Sequence, residues 1–112
     1  MAVDATPETY GSLVDEGIVL VDFWGPHCRP CVALMPAVEA LAEEFAEYMR
    51  LVKVQAPDNR QVCRDERVAG LPTYILLHEG EERRRLTGDP TAAEIRTAVL
   101  ELIEEVANGS EG

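Results

Sequence analysis

One segment constrains the fold of this chain more than any other. Val19-Leu20-Val21-Asp22-Phe23-Trp24 is almost wholly apolar and ends at Gly25-Pro26. Cys28 and Cys31 follow, with Arg29 and Pro30 between them, and a helical apolar pattern begins at the second cysteine. A continuous run of β-branched and aromatic residues describes a central strand buried on both faces. Proline ends it, because it has no N–H for a ladder. The cysteine pair therefore falls where a strand passes into a helix. Backbone N–H groups at a helix start have no intrahelical partner, and the helix dipole is positive there. Both favour thiolate over thiol, and the thiolate is the reactive form. The pattern points to dithiol–disulfide chemistry.

The rest of the chain supplies the layers such a strand needs. Thr6-Pro7-Glu8 reads as an N-cap, a first-position proline and a first-turn acid, so a helix is expected over residues 7–15, closing at Gly17. From Cys31, Leu34, Val38, Leu41, Ala42, Phe45 and Tyr48 or Met49 fall on one helical stripe, which Pro36 interrupts and should kink. A short strand is expected over 51–55, a helix from 58 or 59 to about 67, and a turn at Gly70-Leu71-Pro72. A strand over 73–78, a hairpin at Glu79-Gly80, a strand near 82–86 and an amphipathic helix over 92–106 complete the order. Val3 adds at most a stub of edge strand. A βαβ unit followed by a hairpin and a covering helix is an α/β sandwich with a mixed central sheet and a first strand that is short or missing. With 112 residues the chain is expected to form one domain over 1–112, with a frayed tail at 107–112 and enough core to fold without disulfide staples.

Acidic residues outnumber basic ones by 21 to 10, for a net charge of −11. That argues against nucleic-acid and anionic-membrane partners. Much of the excess (Glu39, Glu43, Glu44, Glu47, Glu101, Glu104, Glu105) lies on helix faces and reads as solvated surface. The start of the chain has neither a basic n-region nor an apolar h-region, and no apolar run is long enough to span a bilayer. Three cysteines fit a reducing compartment better than a secreted disulfide framework. The expected location is the cytoplasm.

The residues from Val19 to Cys31, with Pro36, Lys53, Gly70-Leu71-Pro72-Thr73 and Gly88, resemble the thioredoxin family in order and spacing over residues 18–106. A lone Cys-X-X-Cys would be a weak signal. Asp22-Phe23-Trp24 before it, and a Gly-apolar-Pro-Thr about forty residues after it, make the signal strong. The family's usual active site is Trp-Cys-Gly-Pro-Cys; here it is His27-Cys28-Arg29-Pro30-Cys31. An imidazole replaces the aromatic ring before the first cysteine, and a cation replaces glycine.

The resemblance implies a thioredoxin fold and a protein-disulfide reductase working through a mixed disulfide. Cys28 is then the exposed nucleophile and Cys31 the resolving thiol, and the cofactor is no bound group but the redox-active Cys28–Cys31 disulfide. Asp22, an acid within an apolar run, reads as buried with a raised pKa or as an edge residue facing water; the rarity of acids in such strands favours burial. By resemblance it helps deprotonate Cys31, with Lys53 beside it as an electrostatic partner; the alternative for Lys53 is a solvated strand lysine. Pro72 resembles the family's cis-proline, and Trp24, Leu71, Pro72 and Gly88 would line a substrate groove, although Trp24 also reads as core packing. His27, Arg29, Pro30 and Lys53 are the expected redox-tuning positions, with Arg29 lowering the Cys28 pKa and making the potential less negative. Implied partners are disulfide-containing proteins and a thioredoxin reductase, an NADPH-fed flavoenzyme, or a dedicated donor.

Four other readings compete. A specialised electron carrier or disulfide exchanger with a more oxidising potential would serve one dedicated partner. A metal-binding module would need four ligands, usually with a second close cysteine pair, and only one pair exists. A redox-inactive docking subunit is disfavoured by the intact pair, and a glutaredoxin by the Asp22-Phe23-Trp24 segment and the chain length. Cys63, mid-helix, reads as packing, and His78 as exposed at a strand end.

Overall fold

The computed structural model of the chain describes residues 2–109. Its sheet has the order β1 (Ala2–Asp4), β3 (Met49–Gln55), β2 (Ile18–Trp24), β4 (Thr73–His78) and β5 (Glu81–Leu86). β1 and β2 flank β3 in parallel, while β4 and β5 run antiparallel, so the sheet is mixed as expected. The helices are α1 (Tyr10–Leu13), α2 (Arg29–Glu44), α3 (Arg60–Asp65) and α4 (Ala92–Ala107).

Alternation along β2 builds two cores. Ile18 and Leu20 pack with Val38 and Leu41 of α2 and with Ile95, Val99 and Leu102 of α4. Val19, Val21 and Phe23 point the other way, toward Tyr10 of α1 and Val62 of α3. Side chains on a strand alternate faces, so an all-apolar strand must be covered twice. β5 (Glu-Glu-Arg-Arg-Arg-Leu) is a charged edge strand, which discourages pairing with another chain. Arg83 and Arg84 tie it to Glu105 of α4. A full capping box, Thr91 with Glu94, starts α4.

Several boundaries differ from the sequence reading. Thr6 does begin a turn, exchanging hydrogen bonds with Thr9, but regular α-helix spans only Tyr10–Leu13. Thr9 hydroxyl contacts and the poor helix formers Gly11 and Ser12 limit it. α2 passes through Pro36 and ends at Glu44, short of Tyr48 and Met49. Met49 is instead the first residue of β3, opposite Ile18 in register. A helical stripe and a strand start both place apolar residues there, and strand pairing decides. Residues 56–58 form a 3₁₀ turn before α3, which stops at Asp65, and Arg67 has φ 58°. The expected tail at 107–112 begins with the last residue of α4; residues 110–112 lie outside the described residues.

Candidate active site

Gly25 and Pro26 turn the chain out of β2, and the Cys28 N–H donates to the Gly25 carbonyl at 3.1 Å. Cys28 is the N-cap of α2. Its Sγ accepts the Cys31 backbone N–H at 3.3 Å, so the sulfur occupies the place where a capping oxygen usually satisfies an orphan donor. Pro30 sits in the first turn, where its missing N–H costs no hydrogen bond. A disulfide joins Cys28 to Cys31, with Cα atoms 5.3 Å apart. Cys28 is half-buried, Cys31 is fully buried, and His27, Arg29 and Pro30 are exposed.

Asp22 is completely buried, as the favoured reading had it. It continues the face of Ile18 and Leu20, the face covered by α2. Register sets Lys53 on one side of it and Tyr74 on the other. Neither carboxylate oxygen has a hydrogen-bond partner among the described residues. Burial pushes the Asp22 pKa up to about 7, with the Lys53 charge pulling it down and the Glu39 charge pushing it up. Lys53 spends its direct contacts elsewhere, on Glu39 at 2.7 Å and Asp4 at 3.7 Å, and acts on Asp22 only through space. Asp22 in turn helps burial hold the Tyr74 phenol well above its ordinary range.

Beyond the pair, the Leu71–Pro72 bond is cis, and the Thr73 hydroxyl donates to the Gly70 carbonyl at 2.6 Å. Leu71 approaches the Gly25 turn so closely that a Cβ on Gly25 would lie 3.2 Å from Leu71 Cδ1. Glycine at 25 therefore lets the two segments meet. Leu71, Pro72 and Gly88 line one recess. Trp24 does not join them; it lines a separate recess with Pro7, Lys53 and Asp58. The expected groove thus divides. Trp24 shares its strand face with Lys53 and Asp22 by the alternation of β2 and its register with β3.

Cys63 is half-buried against the second core, and burial raises its thiol pKa. No group of three or more metal-ligating side chains occurs among the described residues, and no described helix is long and apolar enough to cross a membrane. His78, at the end of β4, is half-buried rather than exposed and is engaged in a contact of its own. The sequence reading passed over Arg60, Arg64 and Arg67, which the fold gathers beside Leu71. Their spacing of four and then three residues was the available signal.

A cysteine pair closed at the start of a helix, preceded by a strand that carries a buried acid and with a cis-proline loop against the connecting turn, defines a thiol–disulfide oxidoreductase. The thioredoxin family profile matches residues 2–101. The chain is 38% identical over 88 residues to a thioredoxin of Acetoanaerobium sticklandii, covering 78% of this chain and 84% of that one. It is 34% identical over 79 residues to a thioredoxin of Bacillus subtilis, covering 70% and 76%. A thioredoxin of Listeria monocytogenes is 31% identical over 88 residues, covering 79% and 85%. The chain belongs to the thioredoxin family and is a protein-disulfide oxidoreductase.

Proposed function

We propose that this single-domain protein works as a reductant of protein disulfides, with Cys28 as nucleophile and Cys31 as resolving thiol. The observation that carries the assignment is the asymmetry of the pair. The Cys28 sulfur receives a helix-start N–H and its residue is only half-buried, whereas Cys31 is wholly buried. In the reduced protein that N–H and the helix dipole stabilise the Cys28 thiolate. The thiolate attacks one sulfur of a substrate disulfide, forming a Cys28–substrate disulfide and expelling one substrate thiolate. Cys31, after losing its proton, attacks Cys28 Sγ and expels the second. Two electrons pass to the substrate, and the protein is left with the Cys28–Cys31 disulfide. Asp22 is the proposed acceptor of the Cys31 proton, directly or through water, since its pKa near 7 suits a base at neutral pH. Leu71, Pro72 and Gly88 hold the substrate chain, partly by backbone hydrogen bonds at Leu71.

The reading requires no bound cofactor. A thioredoxin reductase fed by NADPH, or a dedicated donor, returns the two electrons in the cytoplasm. A direct test mixes the chemically reduced protein with a disulfide-bonded protein such as insulin and counts thiols. Each molecule should lose two thiols while the substrate gains two. No transfer while the protein stays folded and reduced would overturn the reading.

Arg29 should tune the couple. It is exposed, one residue after Cys28, and no carboxylate among the described residues pairs with it. A nearby opposite charge shifts a pKa by roughly 1–3 units, and solvent screening puts an exposed arginine at the low end. Arg29→Gly should therefore raise the Cys28 pKa by about one unit and make the potential more negative by about 30 mV. Thiol alkylation against pH and equilibration with glutathione measure the two. No shift, or a shift of opposite sign, would assign Arg29 to partner recognition instead.

A further inference from the structure

We infer that the surface around Leu71 selects substrates whose disulfide is flanked by acidic residues. The inference rests on the reductant reading above and narrows its substrate class. Leu71 is among the few large apolar side chains left exposed, at 36%. It lies between two recesses and lines both, with volumes of about 340 and 320 Å³. Their charged lining residues are Arg60 and Arg64 in one, and Arg67 and Arg85 in the other; neither recess is lined by a carboxylate. In a chain with 21 acidic and 10 basic residues, that segregation is the reverse of the overall balance.

The charges are also available. Arg85 is held by both oxygens of Glu82, Arg96 by Glu44, Lys53 by Glu39, and Arg83 and Arg84 by Glu105. Among the described residues, Arg64 hydrogen-bonds only to the neutral Gln61, and no carboxylate pairs with the Arg60 or Arg67 guanidinium. All three are exposed. The nearby acids are turned to other tasks or stand outside the recesses. Asp65 accepts from Gln61, Glu66 accepts from the Tyr10 hydroxyl, and Asp58 and Asp89 line neither recess.

A partner segment laid along Leu71 would enter recesses that these arginines line. The acids that make the net charge −11 act from farther away. At about 0.1 M salt the screening length is about 10 Å, so the near charges outweigh the distant field. An exposed pair of opposite charges contributes a factor of about 1.5 to 5 in affinity. Two or three such pairs give about tenfold.

The test uses three synthetic peptides sharing one intramolecular disulfide, flanked by glutamates, glutamines or lysines. Each is reduced by the prereduced full chain at 0.1 M salt, and each rate is divided by that with dithiothreitol, which removes intrinsic reactivity. The glutamate peptide should react about tenfold faster than the lysine peptide, and the ratio should approach one in 1 M salt. Combining Arg64→Gln with Arg67→Gln should lower the ratio about threefold, whereas two distal losses of charge, Arg83→Gln with Arg96→Gln, should leave it unchanged. Equal rates for the three peptides, or faster reduction of the lysine peptide, would show that the overall negative field governs and overturn the inference. If even the glutamine peptide is not reduced, the reductant reading itself fails and this inference with it.

Discussion

Reduced Cys31→Ser, incubated with a disulfide-bonded protein, should capture it as a lasting mixed disulfide through Cys28; Cys28→Ser should capture nothing and reduce nothing. The first variant keeps the sulfur that caps α2 and loses only the thiol that would expel the substrate. The second leaves Cys31, which is wholly buried and which a folded partner cannot reach, and Cys63, which is half-buried against the second core. Steady-state turnover should fall below detection in both, for different reasons. Non-reducing gels separate the two, since only Cys31→Ser gives a band at the summed mass that dithiothreitol dissolves. Alkylation of the reduced protein gives an independent check, with Cys28 modified well before Cys31. Modification of Cys31 first, or capture by Cys28→Ser, would reverse the assignment.

Asp22→Asn should separate chemistry from stability in a way few other substitutions here can. The amide matches the carboxyl in shape but accepts no proton at neutral pH. Binding of substrate should change little. Release from the mixed disulfide at pH 7 should slow on the order of a hundredfold, the lower end of what a positioned base contributes. In the native protein the release rate should rise with pH through about 7, the Asp22 pKa, and the variant should lose that step. An unchanged profile would remove Asp22 from the proton path.

The stability effect has a definite sign. The folded-state pKa of Asp22 lies above its ordinary value of 3.8, so between about pH 4 and 7 the native state binds more protons than the unfolded chain. Stability therefore falls as pH rises through that window and levels off above it. A shift of about three units corresponds to at most about 4 kcal/mol. Part of it offsets the cost of leaving the new amide without partners, so Asp22→Asn should be more stable than the native protein by about 2 kcal/mol at pH 8. It should show no gain at pH 4. Denaturant unfolding of both oxidised proteins at the two pH values measures this, with the disulfide removing the Cys28 and Cys31 titrations. An equal difference at both values would mean that folding leaves the Asp22 pKa where the unfolded chain has it.

What was legible in the residues and what was not divide along a physical line. Ile18–Trp24, Thr73–His78 and most of α4 were readable because burial on both faces, β-branching and turn chemistry all act within a few residues of one another. The cysteine pair was readable for the same reason: a strand end, a Gly-Pro turn and a helix start are local. The end of α2 was not, because Met49 satisfies a helical stripe as well as a strand, and only pairing with Ile18 across the sheet chooses between them.

The site shows the same division. Asp22 among apolar neighbours announced a buried acid, but its unpaired oxygens and its pKa depend on Lys53, Glu39 and Tyr74, which different elements bring to it. Trp24 was placed at the Leu71 groove by resemblance, with core packing as the other reading, whereas the parity of β2 sets it on the face of Lys53. The arginines around Leu71 make the point most plainly. Along the chain they are scattered cations in an acidic protein. The sequence alone settled the order of the elements and the chemistry of Cys28 and Cys31, since both follow from short-range backbone and burial preferences. Which groups surround the buried Asp22, and which charges gather around Leu71, only the tertiary structure decided, because electrostatics and contact depend on distance in space and not on separation along the chain.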